Sequence, residues 1–209
     1  MNPVGEINRK QFLQALFAYG MAVPAASSVF FSADATMCHY PQFGFRLRKP
    51  APWVHLSIPR FEHLTSQQKE TVENQDWFNL IRQLSGLPVA IFAQNNEPWK
   101  RPTAMVAVYA NPLPQETDFE AHMADGPDLF VTLFPHARIL AGVTYRKFGS
   151  APGAEFTIQY QINRQQVRSR VTAAWGSRFE ICLSLEDYPG DGSDALAEFN
   201  DVLDSLEVI

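Results

Sequence analysis

The residues able to do chemistry are few and scattered. The 209-residue chain has five histidines, His39, His55, His63, His122 and His136, and two cysteines, Cys38 and Cys182. No two histidines stand at the H-x-x-x-H spacing that sets a pair of zinc ligands on one helical face. Asp118 and His122 are four apart, so a helix would bring them to one face, with Asp125 and Asp128 nearby. That group could hold a divalent ion. The simpler reading is a solvated acidic helix start, favoured by the helix dipole, so no metal and no cofactor are assigned. The chain contains no P-loop, no G-x-G-x-x-G and no G-x-S-x-G. "GSAPG" at 149–153 has glycines four apart, but Ala151 stands where a nucleophilic serine would be needed. No catalytic residue is assigned.

Binding chemistry has more candidates. "NNEPWKRP" at 95–102 reads as a loop carrying Trp99 beside Lys100 and Arg101. An exposed tryptophan next to cations has the composition of a protein-binding hot spot; the alternative is that Trp99 folds back as core cover. Arg46, Arg48, Arg168 and Arg170 alternate along strand-like runs. They are outward-facing strand residues or, if their faces coincide, a basic strip for an acidic partner. Glu116, Asp118 and Glu120 read as a solvated turn. Cys38 and Cys182 could form one disulfide in an exported chain or remain separate thiols, since spacing alone gives no distance between them.

The elements that must position these residues follow from periodicity. Nearly half the residues are hydrophobic, with 16 Phe, enough for a sizeable core. The net charge is −5 with no basic cluster, which argues against nucleic acid as a partner. "FGFRLRKP" alternates, with Phe43, Phe45 and Leu47 on one face and Arg46 and Arg48 on the other. Further strands are expected at 53–59, 88–95, 102–110, 138–148, 154–163, 166–175 and 178–186. Thr65 with Gln68 opens a helix carrying Val72, Trp77, Phe78, Ile81 and Leu84, stopped by Gly86 and Pro88. Thr117 and Glu120 form a second capping box, and Gly126-Pro127 splits 118–134 into two short helices. The last helix starts at Ser193 and buries Leu196, Phe199, Val202, Leu203 and Leu206. Short links between strands require antiparallel pairing, and the amphipathic helices must cover sheet faces. The expected fold is α+β, an antiparallel β-sheet covered by helices, over residues 36–209 as one domain.

Residues 1–35 read as an address rather than as part of that fold. Arg9-Lys10 precedes an uncharged run from Phe12 to Ser32, and Ala33-Asp34-Ala35 has the A-x-A form of a cleavage site. Pro24 would break a core helix in mid-run. "NRKQFLQ" resembles the twin-arginine export motif, with Lys10 where a second arginine is usual. The segment is an export signal or, uncleaved, a membrane anchor of about 20 uncharged residues. The expected location is the periplasm, or the membrane surface through this segment alone.

Four stretches carry a wider resemblance. "FGFRLRKPAPW" looks like an opening strand with its Pro-Trp link, and "EPWKRPTAMVAVYA" like the loop and strand before the first crossover. "QVRSRVTAAWGSRFEICLSL" looks like a long late hairpin, and "EFNDVLDSLEVI" like a closing helix with an apolar tail. Together they resemble the PsbP-like fold, named for an extrinsic photosystem II subunit and shared with a Ran-binding nuclear-import factor and many exported bacterial proteins. The resemblance implies a binding or accessory role in a larger protein complex. No residue set here matches manganese, calcium or Ran binding. The alternative is a ligand- or metal-binding protein, or an enzyme, using a cleft between the sheet and the 118–134 segment.

Overall fold

Alternating side chains build most of the molecule. The computed structural model describes residues 37–56, 88–95, 103–113, 118–134, 136–162, 165–189 and 195–209. Ten strands lie among them: β1 (Met37–Tyr40), β2 (Phe45–Arg48), β3 (Val54–His55), β4 (Ala90–Ala93), β5 (Met105–Pro112), β6 (Arg138–Phe148), β7 (Ala151–Ile162), β8 (Gln165–Trp175), β9 (Phe179–Asp187) and β10 (Glu207–Val208). Three helices join them: α1 (Phe119–Ala124), α2 (Gly126–Leu133) and α3 (Ala195–Asp204). None of these helices is long and apolar enough to cross a membrane.

The strands form two antiparallel sheets, not one. The large sheet has the order β3-β4-β5-β9-β8-β7-β6, and a small one the order β1-β2-β10. The meander from β6 to β9 is local, as its short links require. The pairing of β5 with β9 is not: Tyr109 lies opposite Cys182 across a long sequence gap. β9 is therefore a central strand. β1 and β10 were not expected, because four and two residues carry too little alternation to be read. The turn between β1 and β2 needs Gly44 at φ +73, and a Cβ there would stand 3.0 Å from the Ile209 carbonyl. Ile209 donates back to the Gly44 carbonyl at 2.7 Å, closing β10 onto this turn.

Core packs on both faces of the large sheet. On one face, Tyr40, Phe45 and Leu47 of the small sheet meet Phe92, Val106, Val108, Ile181, Leu183 and Leu185. α3 lays Phe199, Val202 and Leu203 onto the same core. Each such fully buried aliphatic or phenyl side chain contributes about 1.5–3 kcal/mol. Trp53, from the link after β2, donates its indole N–H to Glu198 Oε2 at 2.6 Å and so ties that link to α3. On the other face, α1 and α2 cover β7 and β8 through Met123, Phe130, Phe156, Ile158 and Tyr160.

The cap of α1 differs from expectation. Asp118, not a Thr117–Glu120 box, accepts from the backbone N–H groups of Glu120 and Ala121 at 2.9 and 3.2 Å. A short carboxylate one residue closer to the first turn reaches those donors directly. α2 follows at Gly126-Pro127 as expected, with proline in the first turn, where its missing N–H is harmless. The expected helix at 65–84 and the Ser193 cap lie outside the described residues.

Candidate functional site

The polar residues of β9 define the site. Along this central strand, Ile181, Leu183 and Leu185 point into the α3 core. The alternate positions are Glu180, Cys182, Ser184 and Glu186, which face the other side of the sheet. Their cross-strand partners extend the row: Asn111, Tyr109, Ala107 and Met105 on β5, and Trp175, Ala173, Val171 and Ser169 on β8. A strip of carboxyl, thiol, hydroxyl, amide and phenol groups therefore crosses the middle of the sheet beside α1.

One end of the strip is a closed network. His122 Nε2 lies 3.0 Å from Glu180 Oε1, and both side chains are 2% exposed. Trp175 donates its indole N–H to the same oxygen at 3.2 Å. Asn111 Nδ2 reaches Glu180 Oε2 at 3.5 Å and Cys182 Sγ at 3.9 Å. Burial pushes the Glu180 carboxyl up, but the hydrogen bond and charge of His122, helped by Trp175 and Asn111, outweigh it and hold Glu180 below its ordinary value. Burial and the adjacent Glu180 push the Cys182 thiol well up. A thiol held protonated is a poor nucleophile.

The other end is half-buried. Tyr160 Oη donates to Glu186 Oε1 at 2.9 Å, and Ser169 and Ser184 exchange a hydrogen bond at 3.2 Å. Burial pushes the Glu186 carboxyl up, and the Tyr160 bond offsets this only in part. The Tyr109 and Tyr188 phenols are raised as well, by burial first and then by the nearby Glu186 charge.

The expected site residues fall in several places. Trp99, Lys100 and Arg101 lie outside the described residues. Cys38 and Cys182 do not form the bridge considered for them: both are free thiols. Cys38 belongs to the α3-side core, whereas Cys182 packs against the α1–α2 side, so the sheet itself separates them. Asp118 and His122 do share a helix, but Asp118 caps it while His122 turns inward to Glu180. Among the described residues, no three His, Cys, Asp or Glu side chains are grouped to hold a metal.

The arginines do not line up as a basic strip. Arg46 bonds Glu207 through Nε at 2.8 Å, Arg168 bonds Asp187 through Nε at 2.9 Å, and Arg170 bonds Glu155 at 2.8 Å. Arg46 and Arg168 also belong to different sheets. Phe119, Met123, Phe130, Phe134 and Phe156 pack between the sheet and residues 118–134. The polar strip lies beside them.

Sequence reasoning missed the strip. "EICLSLED" alternates polar and apolar residues, which reads as a strand with one solvated face. β9 is instead central, and its polar face is partly enclosed. The available signal was the pair of glutamates bracketing a cysteine, which needed the β5 pairing to acquire meaning.

No family model matches the chain, and no curated protein matches it in sequence. Several solved structures resemble it in fold, among them two that match over most of both chains. The solution structure of cyanobacterial PsbP (CyanoP) from Synechocystis sp. PCC 6803 superposes with TM-score 0.57 at 10% identity, covering 90% of this chain and 100% of that one. The crystal structure of LpqN, involved in cell envelope biogenesis of Mycobacterium tuberculosis, superposes with TM-score 0.55 at 10% identity, covering 78% and 82%. The fold is thus α+β and PsbP-like.

Proposed function

We propose that this chain is an exported, non-catalytic binding protein that joins a larger assembly by accepting an extended segment of a partner protein along β6. The observation that carries this reading is the state of that strand. β6 is eleven residues long and, among the described residues, has β7 as its only sheet neighbour. It exposes Ile139, Leu140 and Tyr145 at 41, 45 and 48%, although the Tyr145 hydroxyl also donates to the Glu120 carbonyl at 3.2 Å.

The strand's register with β7 is broken near Ala141 and regular from Thr144 to Phe148. Bulges twist an edge away from pairing, so the regular half is where a guest strand fits. Lys147 lies in that half, beside an Arg146 that already bonds Asp204 at 3.1 Å, and β6 contains no acidic residue. The matching guest alternates apolar and acidic residues, with main-chain bonds supplying affinity and side chains selectivity. A second copy of β6 would bring like charges together. Trp99, Lys100 and Arg101 remain proposed as a further partner contact.

The signal-like residues 1–35 and the fold shared with CyanoP and LpqN support the exported, accessory part of the reading. The test is affinity purification of the tagged chain from the exported and membrane fractions, beside the double variant Leu140→Asp, Tyr145→Asp. The same partner should co-purify with the native chain and be lost from the variant. Recovery of the native chain as a partnerless monomer, or a partner retained by the variant, would sink the proposal.

A further inference from the structure

The register of β6 sorts its side chains onto two faces. Thr144, Tyr145, Arg146, Lys147 and Phe148 lie opposite Glu155, Ala154, Gly153, Pro152 and Ala151 of β7 without a break. Phe148 and Ala151 are buried in the α3-side core, whereas Ala154 packs on the α1–α2 side. Side chains alternate along a strand, so Thr144, Arg146 and Phe148 face α3, while Tyr145 and Lys147 face α1. The Tyr145 hydroxyl, 3.2 Å from the Glu120 carbonyl of α1, agrees with this assignment.

The two faces differ in what they leave for a guest. On the α3 face the Arg146 guanidinium is engaged: it bonds Asp204 at 3.1 Å, lies 3.7 Å from Glu155 and sits 4.7 Å over the Phe148 ring. On the α1 face Lys147 is exposed, and no carboxylate pairs with it among the described residues. Tyr145 is half-exposed but held. Besides its bond to Glu120, its ring meets Phe119 at 70° with centroids 6.2 Å apart, and Phe119 in turn meets Trp175 at 5.1 Å. A ring already held in place loses little freedom when a second side chain packs on it. An anchored ring and an open cation therefore stand two residues apart on one face of the edge.

We infer that the segment accepted by β6 runs antiparallel to it and carries an acidic residue two positions before an aromatic one. This rests on the reading of β6 as a docking edge and adds the direction and order of the guest. Every strand pair in the described sheets is antiparallel, and antiparallel ladders are slightly more stable per residue. In that direction the guest residue opposite Lys147 comes first, and the one opposite Tyr145 follows two positions later. Opposite charges and aromatic pairs directly across a ladder stabilise it, each by a factor of about 1.4–5. An acidic side chain answers Lys147, and a ring answers Tyr145. The acidic and apolar residues of the guest thus alternate along its α1 face. Its other face meets Thr144 and an already satisfied Arg146, and is little constrained. A parallel guest would need the reverse order.

The experiment titrates the full chain with three blocked heptapeptides: Ac-Ser-Thr-Glu-Thr-Phe-Thr-Ser-NH2, the same peptide with Glu and Phe exchanged, and the same peptide with Lys in place of Glu. Backbone amide signals of β6, followed by NMR, locate the binding and give the affinities. The first peptide should bind at millimolar concentration, with shifts concentrated at 144–148. The exchanged peptide should bind roughly three- to tenfold more weakly, and the Lys peptide at least as weakly as that. The exchanged peptide has the same composition, so general charge attraction cannot account for the difference. Lys147→Glu, at an exposed position, should keep the native circular dichroism and reverse the preference between the Glu and Lys peptides. Equal binding of the first and exchanged peptides along β6 would overturn the inferred order while leaving the docking edge standing. Tighter binding of the exchanged peptide would overturn the antiparallel direction. No shift at 144–148 with any peptide would overturn the inference, while the docking edge itself is decided by co-purification of a partner.

Discussion

Replacing His122 by leucine should be among the most damaging single changes in the described sheet, and adding Glu180→Gln should repair part of the damage. The leucine roughly keeps the volume but removes the ring nitrogen that lies 3.0 Å from a carboxylate that is 2% exposed. Glu180 would then rely on the Trp175 indole at 3.2 Å and the long Asn111 contact at 3.5 Å. Breaking a buried pair from one side costs about 3–5 kcal/mol, because a charge is left uncompensated. For a chain of this length that corresponds to a fall in Tm of roughly 6–20 °C. Glu180→Gln alone removes the carboxylate but keeps an acceptor for Trp175, so its cost is about 1–3 kcal/mol. The double variant should be more stable than His122→Leu alone, since the glutamine removes the stranded charge.

Urea unfolding of all four proteins at neutral pH measures this cycle, and repeating it in acid adds a second reading. The Glu180 carboxyl is held below its ordinary value of 4.5 in the fold. Its contribution is therefore full above that ordinary value and is lost as pH falls through the folded one. The gap between native protein and Glu180→Gln should narrow in that acid range. A double variant as unstable as the sum of the singles, or a loss below about 1 kcal/mol for His122→Leu, would refute the argument that this pair is coupled and charged.

Two further predictions test the fold and the address. A Cβ added at Gly153 would stand 2.4 Å from the buried Phe148 ring and 3.1 Å from the Ala173 carbonyl. Gly153→Ala should therefore cost about 1–3 kcal/mol by overpacking, with recovery when Phe148→Leu is added, both read from thermal melts. Deleting residues 1–35 should leave circular dichroism and melting of the remaining domain intact while the chain stays in the cytoplasm on fractionation; an unfolded product would show that these residues belong to the fold.

What the sequence determined by itself is everything set by neighbours along the chain. Strand-like runs at 138–148 and 166–175 placed β6 and β8 to within a residue or two, period-two alternation in "FTIQYQIN" and "RFEICLSL" marked β7 and β9, and Gly126-Pro127 marked the start of α2. The stripe of Phe199, Val202 and Leu203 identified the helix that covers the sheet. These signals are local because a strand or helix repeats its geometry every two or 3.6 residues. Whether a polar face meets water is not local. Glu180 and Glu186 on β9 look in sequence like the solvated half of a strand. They became one half of a buried hydrogen-bonded pair and a half-enclosed acid only when β5 paired with β9 and α1 carried His122 over the sheet. The packing of the small sheet and α1–α2 on opposite faces decided that Cys38 and Cys182 lie on opposite sides, and the β7–β8–β9 meander that Arg168 and Arg170 meet carboxylates. Those outcomes depend on which distant segments share an edge, and a side chain's charge, partner and reactivity depend on what surrounds it there.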